Sequence, residues 1–144
     1  MSGIVVGLDG SGHSDRALSW AAQEAALRQV ALTVLSVHPP VITYLGSAVD
    51  NTMDGPVTES VRAAAQQRVG RVLNCLEALP PQVTVRSVSG SPAEELLSAS
   101  KDADMLVVGS RGAGGFARLV MGSVSDQVTR HAQCPVIVIP AGKA

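Results

Sequence analysis

Three glycines and two serines near the C-terminal end of the chain have the spacing of a phosphate-binding segment. Gly109 and Gly112 are separated by two residues, and Gly122 follows after nine more, with Ser123 and Ser125 close behind it. Glycine lets the main chain approach a ligand, while serine hydroxyls and the first N–H groups of a helix donate hydrogen bonds to phosphate oxygens. We therefore interpret this segment, called the glycine ladder below, as a phosphate cradle.

Charge in the ladder also favours an anion, because its charged residues are Arg111 and Arg118 and it contains no carboxylate. No segment has the GxxxxGK pattern of a Walker loop. Residues 112–117 match the GxGxxG/A dinucleotide fingerprint, but Ala132 stands about 20 residues on, where an acidic residue would bind ribose. The alternative interpretation is a plain glycine loop followed by a helix N-cap at Ser123.

Apolar runs and helical patterns alternate along the chain. The apolar runs predict strands at residues 4–9, 31–37, 82–88, 104–109 and 135–140. Helical spacing of apolar residues predicts helices at about residues 14–30, 57–79, 92–100 and 122–132. Turn-forming residues predict a loop over residues 39–57. This alternation predicts a single-domain, doubly wound α/β fold, with helices on both faces of a five-stranded parallel sheet.

Two helix boundaries are marked by particular residues. Pro80 and Pro81 predict the end of the second helix, because proline cannot continue a helix. Ser91, Pro92 and Glu94 predict the start of the third helix, with Ser91 as N-cap and Glu94 completing a capping box.

Asp9 and Gly109 close the first and fourth predicted strands. In open parallel sheets the ligand crevice lies beyond the carboxyl ends of the strands, where the winding direction reverses. If these two strands are neighbours, both residues face one crevice. The alternative for Asp9 is a turn-forming role before Gly10.

Composition and charge exclude several functional classes. A chain of 144 residues with 46% hydrophobic and 16% charged residues is long and apolar enough for one globular domain. Its formal net charge of −1 provides no basic field for nucleic acid or an anionic membrane. No apolar run approaches the ~20 residues of a membrane span, and the first residues lack the pattern of a signal peptide. We therefore expect a cytoplasmic protein without nucleic-acid or membrane partners.

The ladder has no evident catalytic group beside it. No base accompanies Ser123, the GxSxG pattern is absent, and the three histidines share no metal-ligand spacing. Phosphate chemistry would need a base or a carboxylate that orients water. We therefore expect a binding protein without catalytic or metal-ligating residues, and leave slow hydrolysis open.

Several segments together resemble the universal stress protein family. The similar segments are residues 4–11, 90–94, 103–112 and 134–140, and the ladder is similar to the family's ATP-binding motif, G-x2-G-x9-G-S. The resemblance covers nearly the whole chain. It implies one universal stress protein domain over residues 1–144 and a Rossmann-like sheet with strand order 3-2-1-4-5.

The resemblance also implies the residues that contact ATP. Those implied at the adenosine end are Gly7, Asp9, Val37, Val108 and Gly109. Those implied along the ladder and around the phosphates are Arg111, Gly112, Gly122, Ser123, Val124 and Ser125. Some family members carry proline where this chain has Gly7. A divalent ion, Mg²⁺ or Mn²⁺, held mainly by the phosphates, is implied as well.

The expected function is that of an ATP-binding regulatory sensor in a stress response. Bound nucleotide would order residues 39–57 and the ladder, and so change the surface shown to partners. A dimeric scaffold that binds no nucleotide and a cyclic AMP-binding protein remain the alternatives. We also expect a homodimer formed through residues 136–139, an apolar strand at a sheet edge.

Overall fold

The strands and helices follow the alternation predicted from the sequence. The computed structural model describes residues 3–9, 12–40, 43–45, 48–50, 54–110 and 122–140. The elements are β1 (Ile4–Leu8), α1 (Gly12–Arg28), β2 (Leu32–His38), β3 (Thr43–Leu45), β4 (Ala48–Asp50), α2 (Asp54–Leu73), β5 (Val83–Ser89), α3 (Pro92–Ser100), β6 (Met105–Gly109), α4 (Ser123–His131) and β7 (Val136–Ile139).

Five strands form one sheet in the order β5-β2-β1-β6-β7, and every neighbouring pair is parallel. The chain moves outward from β1 through β2 to β5, and then crosses over to β6 on the other side of β1. The winding direction therefore reverses between β1 and β6. This confirms the predicted fold class and its strand order.

The sheet buries a separate hydrophobic layer on each face. On one face Ile4 and Val6 of β1 pack with Leu18 of α1 and Val69 of α2. On the other face, Val5 of β1 and Leu106 of β6 pack with Leu96 of α3 and Val128 of α4. Because both faces are covered, the central strands β1 and β6 are apolar at consecutive positions, which is why each appears in the sequence as a continuous apolar run.

The loop predicted over residues 39–57 was wrong in part. β3 and β4 lie inside it and pair antiparallel, with Tyr44 opposite Val49. In addition, α2 begins at Asp54, three residues before the predicted start. Two strands of three residues each are too short to show a period of two, so the turn-forming residues around them dominate the pattern.

The predicted end of the second helix and the predicted capping box of the third also need correction, whereas the predicted start of the third helix is confirmed. α2 ends at Leu73, and the main chain continues as tight turns in which the N–H of Cys75 and the N–H of Leu76 each donate to a carbonyl three residues earlier. Ser91 is the N-cap of α3, but its side chain makes no capping hydrogen bond, so the capping box is not formed. Among the described helices, none has the length and apolar character needed to cross a membrane.

Candidate functional site

The predicted crevice lies at the point where the sheet changes winding direction. β1 pairs directly with β6, with Val6 opposite Val107. Asp9, which is exposed, follows the last residue of β1, and Gly109 is the last residue of β6. Both residues therefore lie at the same edge of the sheet on adjacent strands, the arrangement that the crevice interpretation requires.

Val37 directs its main chain towards the same crevice. In a β-strand the N–H and C=O of one residue point to one side, and those of the next residue point to the other. The His38 carbonyl accepts a hydrogen bond from the Gly90 N–H, on the β5 side of β2, at 2.8 Å. The N–H and C=O of Val37 consequently point towards β1, which ends at Leu8. In the parallel pairing of Leu8 with Ser36, the Val37 N–H is directed at the Leu8 carbonyl, so only the Val37 carbonyl is presented beyond the end of β1.

Gly109 also directs its main-chain groups towards the crevice. The N–H of Ser110 donates to the carbonyl of Ile139 in β7 at 2.8 Å. The main-chain groups of Gly109 therefore point the other way, towards β1 and the crevice. Val108, only 4% exposed, packs its side chain in the hydrophobic layer under α4. Its side chain contributes to that core, and its main-chain groups point towards β7, with which it pairs at Val138. Val108 therefore directs no polar group into the crevice, although the sequence predicted a nucleoside contact there.

The N-terminus of α4 is fixed beside the end of β6. Gly122 is its N-cap, with extended main chain (φ −76°, ψ 167°) and no side-chain cap. The Gly122 N–H donates to the Ser110 carbonyl at 2.6 Å. Because the first N–H groups of a helix have no intrahelical acceptor, the start of α4 presents donors and a partial positive charge next to the strand ends.

The two serines of the ladder have different environments. Ser125 is 2% exposed, and its hydroxyl lies 3.2 Å from the Ser110 carbonyl oxygen and 3.0 Å from that of Gly122. Its hydroxyl therefore donates to the protein main chain, whereas the sequence interpretation assigned it to phosphate. Ser123 is exposed, and Val124 packs against the hydrophobic layer beneath α4. Arg111 and Gly112 lie outside the described residues.

A model described as the universal stress protein family matches residues 1–140. The chain belongs to the universal stress protein family. A universal stress protein of Mycolicibacterium smegmatis is 36% identical over 146 residues, which cover 95% of this chain and 47% of that protein. The chain spans about half the length of the curated relatives it matches.

Solved structures of the family share the fold. The universal stress protein UspA from Lactobacillus plantarum is 26% identical, with a TM-score of 0.76 over 96% of this chain and 97% of that chain. A universal stress protein in complex with cAMP is also 26% identical, with a TM-score of 0.67 over 97% of this chain and 96% of that chain. This family member therefore has relatives of similar architecture, one of them with a bound cyclic nucleotide.

Gly7 faces α3 and lies one residue before the end of β1. A Cβ atom at this position would lie 3.3 Å from both δ-carbons of Leu96, which is closer than ordinary van der Waals contact. The absence of a side chain at Gly7 therefore allows α3 to approach the sheet. In the structure, Gly7 has a packing role that the sequence did not reveal.

The described part of this family member offers no ready metal centre. Among these residues, no three His, Cys, Asp or Glu side chains are grouped so that they could hold a metal ion. Asp126, the acidic residue of α4, forms an exposed ion pair with Arg130 at 3.1 Å.

A groove of about 180 Å³ lies elsewhere on the sheet, between β5 and α3. Arg86 and Glu95 line its walls. Gly3 and Asp102 also line it, so the groove lies near the start of the strands. None of the predicted site residues lines it. The candidate site is therefore the crevice at the carboxyl ends of the strands, where the polar main-chain groups converge, and not this groove.

One pair of residues close to the crevice was not predicted from the sequence. His38, the last residue of β2, is 8% exposed, and its Nε2 atom lies 2.7 Å from Oγ1 of Thr58 in α2. A contact between one histidine and one threonine leaves no metal-ligand spacing in the sequence. The one local signal is a histidine that ends a buried strand directly before two prolines.

Proposed function

We propose that this universal stress protein binds ATP in the crevice beyond β1 and β6, with the phosphates at the start of α4. The observation that carries the proposal is the N-terminus of α4, whose N-cap residue Gly122 has no capping side chain and whose N–H donates to the Ser110 carbonyl at the end of β6. Helix N-termini favour anions through their free N–H groups and the helix dipole. Ser123, exposed in the first turn, adds a hydroxyl donor.

The adenosine end lies between the ends of β2 and β6. The Asp9 carboxylate would accept hydrogen bonds from ribose hydroxyls, since it is exposed beside the last residue of β1. The main-chain carbonyl of Val37 would accept a hydrogen bond from the adenine edge, and Gly109 would let the nucleoside approach the strand end closely. A Mg²⁺ or Mn²⁺ ion would be held mainly by the phosphates.

The nucleotide would act as a regulatory signal in a stress response in the cytoplasm. Bound ATP would order residues 39–57 and the ladder, and the altered surface would be recognised by partner proteins. Residues 1–144 would act as one domain, paired as a homodimer through the β7 edge. Hydrolysis would be slow at most, because the proposed site includes no evident general base.

Ligand analysis and one matched pair of variants test the proposal. Mass spectrometry of ligand released from freshly purified protein is expected to identify ATP. Asp9→Ala should weaken Mg–ATP binding about tenfold or more in calorimetry, because it removes hydrogen bonds to a charged acceptor. Asp102→Ala serves as the control, since Asp102 is exposed just after α3, at the opposite end of the sheet.

Three outcomes would contradict the proposal. No thermal shift with millimolar Mg–ATP would favour a scaffold that binds no nucleotide. Equal loss of affinity in the Asp9 and Asp102 variants would place the nucleotide elsewhere. Turnover of ATP at the ~1–100 s⁻¹ of ordinary phosphoryl-transfer enzymes would rule out a sensor that only binds.

Cyclic AMP is the second candidate ligand, because a relative of 26% identity was solved in complex with cAMP. The same crevice offers the adenosine contacts to both nucleotides, whereas the α4 N-terminus would have one phosphate to bind instead of three. Competition calorimetry between ATP and cyclic AMP separates the two. Tighter binding of cyclic AMP would replace ATP as the proposed ligand.

A further inference from the structure

The buried side chain of His38 has hydrogen-bond partners at both ring nitrogens. Nδ1 lies 2.8 Å from the carbonyl oxygen of Pro39, and Nε2 lies 2.7 Å from Oγ1 of Thr58. Because a carbonyl can only accept, Nδ1 carries a proton, and in the neutral ring Nε2 accepts the hydrogen of the Thr58 hydroxyl. The imidazole thus connects the end of β2 to the N-terminal part of α2.

The main chain of His38 is held on the β5 side of β2. Its carbonyl accepts the Gly90 N–H, which follows β5, at 2.8 Å. Val37 directly precedes His38, which is therefore held both through its side chain and through its main chain. The carbonyl of Val37 lies beyond the end of β1 and faces the crevice, so the position of this carbonyl depends on how firmly His38 is fixed.

We infer that the His38–Thr58 pair positions the main chain of Val37 for contact with the adenine base. The inference rests on the proposed function, in which Val37 contacts the adenine edge. Preorganised main-chain groups bind more tightly because their ordering cost is already met in the free protein. The pair is therefore a positioning device for base recognition, and it also links the bound base to the start of α2.

The phosphate end of the crevice does not depend on this pair. α2 packs on α1, β2 and β5, whereas α4 packs on α3 and β7. The start of α4 is held by the Gly122 N–H and the Ser125 hydroxyl, which both donate to the Ser110 carbonyl. A loss at Thr58 should consequently weaken adenine binding and leave phosphate binding unchanged, a separation that general destabilisation would not produce.

Thr58→Val and Thr58→Ser form a matched pair of variants for this test. Valine keeps the shape of threonine without its hydroxyl, whereas serine keeps the hydroxyl. In calorimetry, Thr58→Val should bind Mg–ATP and adenosine about tenfold more weakly, while its affinity for inorganic tripolyphosphate should stay within about twofold. Thr58→Ser should stay within about twofold of the wild type for all three probes.

Hydrogen exchange provides a readout that needs no ligand. In peptides ending at His38, Thr58→Val should exchange faster at the end of β2, and Thr58→Ser should match the wild type. If Thr58→Val does not fold, His38→Asn takes its place, because a shorter amide can still donate to Pro39 but does not reach Thr58.

Two sets of results would overturn the inference. The first is an unchanged adenosine affinity or an unchanged exchange rate at the end of β2 in Thr58→Val. The second is an equal loss of tripolyphosphate binding, or a Thr58→Ser variant as weak as Thr58→Val, since either would indicate general destabilisation. A wild-type protein that binds no ATP would overturn the proposed function instead, and the exchange experiment would still decide whether the pair holds β2.

Discussion

Ser123 and Ser125 show how two identical residues in one helical turn acquire different roles. Residues two apart on a helix point in different directions, so one serine faces the sheet when the other faces solvent. Ser125 is buried and donates to the main chain at the end of β6, while Ser123 is exposed at the start of α4. Ser125 therefore holds the helix start in place, and Ser123 remains available to a ligand.

Alanine substitutions should separate these two roles. Ser125→Ala should lower the free energy of unfolding by about 1 kcal/mol, because a buried hydrogen bond is lost while the Ser110 carbonyl keeps the Gly122 N–H. Ser123→Ala should change it by less than about 0.5 kcal/mol, as expected of an exposed position, but should weaken ATP binding. Urea unfolding and calorimetry provide the two measurements. The reverse pattern of stability losses would contradict the assignment.

The close approach of α3 to β1 depends on a contact between elements. Gly7 lies beneath Leu96, which is 4% exposed and packs between Val5 and Leu106. A methyl group at Gly7 would meet the Leu96 side chain 3.3 Å away, and the surrounding layer leaves little space for that side chain to move. The distance between helix and sheet is therefore set by the glycine.

Gly7→Ala should destabilise the protein by about 1 kcal/mol through overpacking against α3. Leu96→Val should also cost about 1 kcal/mol, because it removes a buried methylene. The double variant should lose less than the sum of the two, with a coupling of at least about 0.5 kcal/mol, since the smaller side chain makes room for the new methyl group. Chemical denaturation of all four proteins measures the cycle, and strictly additive losses would show that the two residues do not compete for space.

At the scale of the whole molecule, β7 is an apolar strand at the edge of the sheet, where no further described strand pairs with it. The carbonyls of Pro135 and Ile139 accept hydrogen bonds from β6, so the main-chain groups of Val136 and Val138 point away from the sheet. The side chains of β7 are all half-buried. An unpaired apolar edge favours pairing with a second strand, and this supports the proposed homodimer.

Val138→Pro should convert the proposed dimer to a monomer. Proline removes an N–H that points away from β6, so no hydrogen bond within the sheet is lost. Val138→Thr is the control, because it keeps both the N–H and the branched shape. Sedimentation at micromolar concentration should show a dimer for the wild type and the threonine variant. A monomeric wild type, or a dimeric proline variant, would exclude pairing through this edge.

Local sequence patterns predicted the elements of the main sheet, because the burial of each strand determines which of its own residues are apolar. The strands covered on both faces are continuous apolar runs, and β5, at an edge, is half-exposed along nearly its whole length. The patterns failed where a local signal is absent, or where it is present but the side chains do not follow it. β3 and β4 are too short to show a period. Ser91 and Glu94 have the spacing of a capping box, but their side chains do not form it.

The sequence by itself determined how strands alternate with helices and which residues are candidates for phosphate binding, because both depend on residue type and short spacing. Only the tertiary structure decided which strand ends meet, which ladder serine is buried, and that His38 contacts Thr58, 20 residues away. It also brought Arg68 to Asp15 across 53 residues, in a two-point ion pair between α1 and α2. These contacts join residues that are far apart in the sequence, and the local periodicity of the sequence does not indicate which of them meet.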